Sequence, residues 1–145
     1  MLIDKPDIAR LIPHAGSMCL LDGVLSWDAT RITCVSTTHS WLGNPMRRDG
    51  GIGILCGVEY AAQAMALHAA LAGGAGAMPR RGYLASLRSV CCHTDRLDTV
   101  PGGLDVDAER LFGEGDRVIY GFGVRHDGGL LLSGQAAVVL EQSVA

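Results

Sequence analysis

Formal charge is scarce in this chain, and one stretch is almost without it. Charged residues make up 19% of the 145 residues, and the net charge is −3. This balance gives no electrostatic basis for binding nucleic acid. Between Gly50 and Pro79 the one formally charged side chain is Glu59. An acid isolated in this way loses hydration when the segment packs, which raises the carboxyl pKa and makes a proton donor available near neutral pH.

The sequence also lacks the features of a secreted protein. Its N-terminus does not have the layout of a signal peptide, and its five cysteines are an odd number. Both observations favour a reducing cytoplasm. Cys91-Cys92 beside His93 has no second ligand pair, so we predict no metal site and no cofactor. The length and the apolar content of 48% indicate a single folded domain over residues 1–145.

Residues 60–79 are uncharged over a length that could span a membrane. Alanine and glycine dominate this stretch, Gln63 and His68 interrupt it, and Gly73-Gly74 would break a span. We therefore expect a buried core helix and no membrane contact.

The hydrophobic pattern predicts one helix between two groups of strands. Residues 57–72 are alanine-rich, apolar nearly all round and followed by Gly73-Gly74, which is typical of a helix enclosed by other structure. Alternating or β-rich segments predict strands at 24–27, 31–37, 83–93, 104–109, 118–124 and 132–140. A sheet can bury such a helix only by curling around it, so we expect an α+β fold of about six antiparallel strands. Its open edges favour pairing with a second copy.

Two segments resemble a known family. Residues 11–22 contain Pro13-His14 before an apolar stretch that ends in Asp22, and residues 57–63 start a helix with Gly-Val, an acid and a glutamine. Both segments, in this order and spacing, are similar to hotdog-fold 3-hydroxyacyl-(acyl-carrier-protein) dehydratases. The resemblance covers nearly the whole chain and points in particular to the dehydratase-like proteins of aryl-polyene biosynthesis.

The resemblance implies a catalytic pair, His14 and Glu59. His14 would remove the proton α to a thioester carbonyl. Pro13, whose φ is fixed, would restrict the directions in which the imidazole ring can point. Glu59 would protonate the leaving β-hydroxyl. In the family the two residues meet across a dimer. The alternatives from the residues alone are a structural histidine in the turn after Pro13 and a first-turn acid favoured by the helix dipole.

Three further residues near the helix start are candidate substrate-binding residues. Free N–H groups at Gly57 and Val58 would hold the thioester carbonyl, and Gly57 would let the substrate approach the backbone. Gln63 lies one turn beyond Glu59 and could orient the acid or a water, or simply bond to a loop carbonyl.

The expected partners are an acyl carrier protein and a second hotdog subunit, in a homodimer or heterodimer. An acidic carrier needs a basic surface, for which the arginines at 47, 48, 80, 81 and 88 are candidates. Two other functions stay open. A hotdog thioesterase would use Glu59 without His14, and a non-catalytic accessory subunit would fit the altered loop at residues 43–53, which lacks the family's Pro-Gly before the helix.

Overall fold

The computed structural model describes residues 1–12, 16–73 and 82–141. Within these ranges, two α-helices and seven strands follow one another. They are β1 (Ile3–Asp4), α1 (Lys5–Leu11), β2 (Gly23–Trp27), β3 (Arg31–Ser36), α2 (Gly57–Ala72), β4 (Gly82–Cys92), β5 (Leu104–Glu114), β6 (Arg117–His126) and β7 (Gly129–Leu140). The predicted helix at 57–72 and the six predicted strands are all present, with strand ends shifted by a few residues.

All strands belong to one antiparallel sheet in the order β1-β2-β3-β5-β6-β7-β4. The turn between β6 and β7 places Asp127 at φ 48° and Gly128 at φ 79°. Two consecutive residues with positive φ match the twist of a tight hairpin, and Asp-Gly is a favoured pair for it. Strand β4 pairs with β7 on the side away from β6, so this long strand is the last one in the sheet.

The sheet curls around α2, as the sequence predicts. Tyr60, Ala61, Ala64 and Leu67 on α2 are fully buried. Strands β3 and β5 supply fully buried apolar side chains, among them Ile32, Cys34, Val106 and Ala108. This single core is an α+β layer arrangement, with the sheet on one side of the helix and wrapped partly around it.

The sequence analysis did not predict β1 and α1. Their local signals are nevertheless present: the Asp4 side chain accepts a hydrogen bond from the Asp7 N–H, and Pro6 stands in the first turn of the helix. Ile8 on α1 is fully buried. A helix of seven residues shows too short an apolar pattern to be recognised by periodicity.

The strand β4 is the long open edge of the sheet. Its Tyr83, Leu84 and Leu87 are 52%, 44% and 39% exposed, whereas the other edge strand, β1, has only two residues. An exposed apolar edge strand of this length is a template for pairing with another chain.

By length and composition, the stretch Ile54–Ala72 could cross a membrane. Half of it is buried inside the protein, and core helices of proteins that have no contact with a membrane meet the same two criteria. In this fold the stretch is the enclosed core helix that the sequence predicts.

Candidate functional site

A groove of about 170 Å³ lies along one face of α2, between the helix and the end of the sheet that carries β4. We call it the α2 groove. It is mostly apolar, and its lining comprises Val58, Glu59, Ala62, Met65, Ala66, Ala69, Gly82, Leu84, Val118, Tyr120, Val138 and Leu140.

Small side chains on α2 create the space. Glu59, Ala62, Ala66 and Ala69 follow each other at intervals of three or four residues, which places them on one face of the helix. The face extends for about 15 Å at 1.5 Å per residue. Because three of the four side chains are methyl groups, the helix leaves a channel that begins at an acid and continues over apolar surface.

Glu59 lies in the first turn of α2 and is half-buried in the single chain. This corrects the expectation of an acid enclosed within the core. Leu84, across the groove, is 44% exposed, so the groove is open on the side of the β4 edge. Desolvation of Glu59 therefore depends on what covers that edge.

Gln63 is the best-fixed polar side chain near Glu59. It is fully buried. Its Oε1 accepts the Leu20 N–H at 2.9 Å, and its Nε2 donates to the Met18 carbonyl at 2.7 Å and to Glu59 Oε1 at 3.4 Å. Leaving a buried backbone group unpaired costs about 1–3 kcal/mol. The Gln63 amide thus bonds to two loop backbone groups and also touches the acid.

Hydroxyl groups hold the same loop from the other side. The Leu20 carbonyl accepts hydrogen bonds from Ser36 Oγ at 2.6 Å and Thr38 Oγ1 at 2.8 Å. Thr38 Oγ1 is in turn 2.9 Å from the Tyr60 hydroxyl, to which the Asn44 amide donates at 3.0 Å. Both polar groups of the Leu20 backbone are therefore bonded to the core around α2.

The structure gives Gly57 a different role from the predicted one. Its N–H donates to the carbonyl of Ile54 in the short 3₁₀ turn that precedes α2, so it is not a free donor. A Cβ added here would lie 2.8 Å from Leu132 Cδ2, and Leu132 is fully buried. Gly57 lets the helix approach β7. Val58, in contrast, lines the α2 groove beside Glu59.

His14 lies outside the described residues, as do Pro13 and the basic candidates Arg80 and Arg81. Of the other arginines, Arg47 donates to the Trp41 carbonyl at 2.8 Å, and Arg48 donates to the Pro45 carbonyl at 2.9 Å. Within the described ranges, no group of three or more His, Cys, Asp or Glu side chains is arranged to hold a metal ion.

His68 has partners that the sequence could not identify. Its Nε2 lies 2.9 Å from the Asp28 carbonyl, which can only accept, so Nε2 carries the proton and Nδ1 accepts from the Tyr120 hydroxyl at 2.8 Å. Burial lowers the pKa of His68 and raises that of Tyr120 to about 12. The pair is neutral and stabilises the core beside the groove.

The sequence analysis also missed the alanine face of α2 and the Tyr60–Thr38–Asn44 contacts. A signal for the first existed in the spacing of Ala62, Ala66 and Ala69. The second had none, because it joins residues distant in sequence whose proximity depends on the fold.

An antiparallel sheet wrapped around one long central helix defines the hotdog class of proteins, and this chain has that architecture. The sequence profile of the ApeP-like family, described as ApeP dehydratase, matches residues 6–145. The chain belongs to this ApeP-like dehydratase family.

Solved structures support the hotdog fold. The dehydratase heterocomplex ApeI:P from Xenorhabdus doucetiae matches with a TM-score of 0.83 and 21% identity, covering 94% of this chain and 91% of that one. AziG from S. sahachiroi matches with a TM-score of 0.61 and 15% identity, covering 92% of this chain and 100% of that one. A mutant of thioesterase PA1618 from Pseudomonas aeruginosa matches with a TM-score of 0.59 and 11% identity, covering 81% of this chain and 79% of that one. No curated protein shows significant sequence similarity to the chain.

The packing role of Gly57 can be tested by Gly57→Ala. The new methyl group would meet Leu132 at 2.8 Å in a filled core, so we expect a loss of about 1–3 kcal/mol in the free energy of unfolding, measured with urea. Gly53→Ala is the matched control, because φ is −66° there and no atom lies within 4 Å of the added Cβ. Equal stability of the two variants would contradict this role.

Proposed function

We propose that this chain acts on a 3-hydroxyacyl thioester carried by acyl carrier protein, eliminating water to give the trans-2-enoyl thioester. The setting is fatty-acid or polyene-type lipid biosynthesis. The observation that carries the proposal is Glu59 at the start of an apolar groove in a chain of the ApeP-like dehydratase family. An acid next to an apolar channel suits a substrate with a polar reacting end and a hydrocarbon tail.

The proposed elimination assigns one proton to each catalytic residue. His14 takes the proton from the carbon α to the thioester carbonyl, and the electron pair of that C–H bond forms the new double bond. The bond from the β-carbon to oxygen breaks, and Glu59 gives its proton to the departing hydroxyl, which leaves as water. The N-terminal region of α2 beside Val58 is the proposed position of the carbonyl.

The alanine face of α2 supports binding of an acyl chain. A hydrocarbon tail that enters at Glu59 passes Ala62, Ala66 and Ala69 and contacts Leu84 and the last residues of β7. Burial of each methylene contributes about 0.8 kcal/mol. The tail therefore contributes most of the affinity, and the polar groups near Glu59 determine its orientation.

The open side of the groove supports a second hotdog subunit as partner. The exposed strand β4 forms both the sheet edge and one wall of the groove. Pairing along β4 continues the sheet and covers the groove in the same step. The heterocomplex of the Xenorhabdus doucetiae structure is the precedent for two different subunits. We also propose a reducing, cytoplasmic location, in keeping with five free thiols.

The catalytic assignment predicts large losses in two variants. His14→Ala and Glu59→Gln should each lower turnover by about 10² to 10⁴, the range for loss of a general acid or base. Formation of the enoyl thioester from carrier-bound 3-hydroxyacyl substrates, followed by mass spectrometry, measures this effect.

The control for these two variants is Cys56→Ser. Its turnover should stay within about tenfold of the parent, because Cys56 has no part in the proposed chemistry. Full dehydration by Glu59→Gln would exclude Glu59 as the acid. A thioesterase would be favoured if the parent hydrolyses thioesters, Glu59→Gln loses this hydrolysis and His14→Ala keeps it. Full pathway function in cells with both variants would favour an accessory subunit.

The groove assignment predicts a change in chain-length preference. Ala66→Phe fills the channel about halfway along the alanine face, so kcat/KM should fall at least about tenfold for long acyl chains and little for short ones. Ala70→Phe is the matched control, because Ala70 is equally half-buried on α2 but does not line the groove. A uniform loss across chain lengths would contradict acyl binding in this groove.

The pairing assignment predicts that charge on β4 prevents assembly. Leu87 is 39% exposed in the single chain, so Leu87→Lys should leave the fold intact and abolish pairing with a second hotdog subunit in light-scattering measurements. Leu111→Lys, at a site that is 49% exposed on β5, should not affect assembly. Normal assembly of Leu87→Lys would place the interface elsewhere.

A further inference from the structure

The α2 groove has a polar side chain at each end. Among its described lining residues, Glu59 and Tyr120 are the two whose side chains carry a hydrogen-bonding oxygen. Tyr120 contacts His68, which follows Glu59 by nine residues on α2 and therefore lies about 13 Å farther along the helix axis, at 1.5 Å per residue. An acyl tail that begins at Glu59 and follows the groove reaches Tyr120 with its far end.

The hydrogen bonds of His68 determine what the Tyr120 hydroxyl can offer. The Asp28 carbonyl can only accept, so His68 Nε2 carries the proton and Nδ1 is a bare acceptor. The Tyr120 hydroxyl therefore uses its one proton for His68 Nδ1, at 2.8 Å. Among the described residues, nothing donates to the Tyr120 oxygen in return. This oxygen can accept a hydrogen bond but has no proton left to donate.

Packing keeps the Tyr120 hydroxyl in this direction. His68 is fully buried and Tyr120 is 2% exposed, and their rings meet edge to face at 84° with centroids 5.6 Å apart. Burial lowers the pKa of His68 and raises the pKa of Tyr120 to about 12. Both side chains are thus neutral near neutral pH, and a hydroxyl turned away from His68 would leave two lone pairs facing each other.

We propose that Tyr120 is a specificity-determining residue, whose hydroxyl oxygen accepts a hydrogen bond from a hydroxyl group near the far end of the acyl chain. A ketone at the same position of the chain offers only lone pairs, so it loses its hydrogen bonds to water without a replacement. A plain hydrocarbon end gains no hydrogen bond. The inference rests on the proposed function, in which the groove binds the acyl tail.

A purely structural pair of Tyr120 and His68 is the alternative, and it predicts no discrimination between such chains. Acyl amides that lack the 3-hydroxyl group separate the two, because they have no water to eliminate and no thioester to hydrolyse. Each chain length is made as a matched pair, with a hydroxyl or a ketone on the carbon next to the end. Isothermal titration calorimetry with the purified full-length chain should give a Kd about tenfold lower for the hydroxyl compound at the length that reaches Tyr120.

Two variants test the hydrogen bond itself. Tyr120→Phe should reduce the preference for the hydroxyl compound to below about threefold. Tyr83→Phe is the matched control, because Tyr83 is 52% exposed and is not among the residues that line the groove. His68→Leu releases the Tyr120 proton, so the ketone compound should bind at least about fivefold more tightly than to the parent. A loss of core packing does not produce such a gain.

The outcomes separate this inference from the proposed reaction. Equal affinities for the two compounds at every chain length overturn the role of Tyr120, and so does an unchanged preference in Tyr120→Phe. No gain of ketone binding in a His68→Leu protein that is folded by circular dichroism overturns the direction of the hydrogen bond. If no acyl amide binds, acyl binding in the groove is refuted together with this inference. A chain that discriminates but does not dehydrate 3-hydroxyacyl thioesters refutes the proposed reaction and leaves the role of Tyr120 intact.

Discussion

Burial of α2 is the constraint on which the rest of the structure depends. The helix is apolar on nearly every face, so it cannot lie on a surface and has to be enclosed by the sheet. The close approach of α2 to Leu132 of β7 at Gly57 follows from this enclosure. One face of α2 that the sheet does not fill is lined with alanine, and it forms the groove.

The placement of polar groups follows from the same burial. Every polar side chain brought into the core with α2 needs a partner, since an unpaired one costs about 1–3 kcal/mol. Gln63 finds the loop at Met18 and Leu20, and His68 finds Tyr120 and Asp28. These bonds attach Met18 and Leu20, which precede β2, to the helix that carries the proposed acid. Among the described residues, the groove is open on the side bounded by β4.

The open side connects assembly with chemistry. In the single chain Glu59 is half-buried and the groove is exposed along Leu84. A subunit paired with β4 would remove water from both, which strengthens the interactions of a carboxyl group and protects an apolar tail. The dehydratase family, the apolar groove and the unpaired edge are thus consistent with a site that becomes complete on assembly.

The sequence by itself determined the helix at 57–72, the six predicted strands and the singular position of Glu59, whereas the hotdog class came from the resemblance of residues 11–22 and 57–63 to a known family. The helix, the strands and the isolated acid follow from periodicity and composition, which depend on neighbouring residues only. The tertiary structure decided that the N–H of Gly57 is already used, that Glu59 is half-buried, and that Gln63 joins Glu59 to Met18 and Leu20. Such contacts join residues more than 40 positions apart, and no local pattern records which distant backbone group a buried amide will meet.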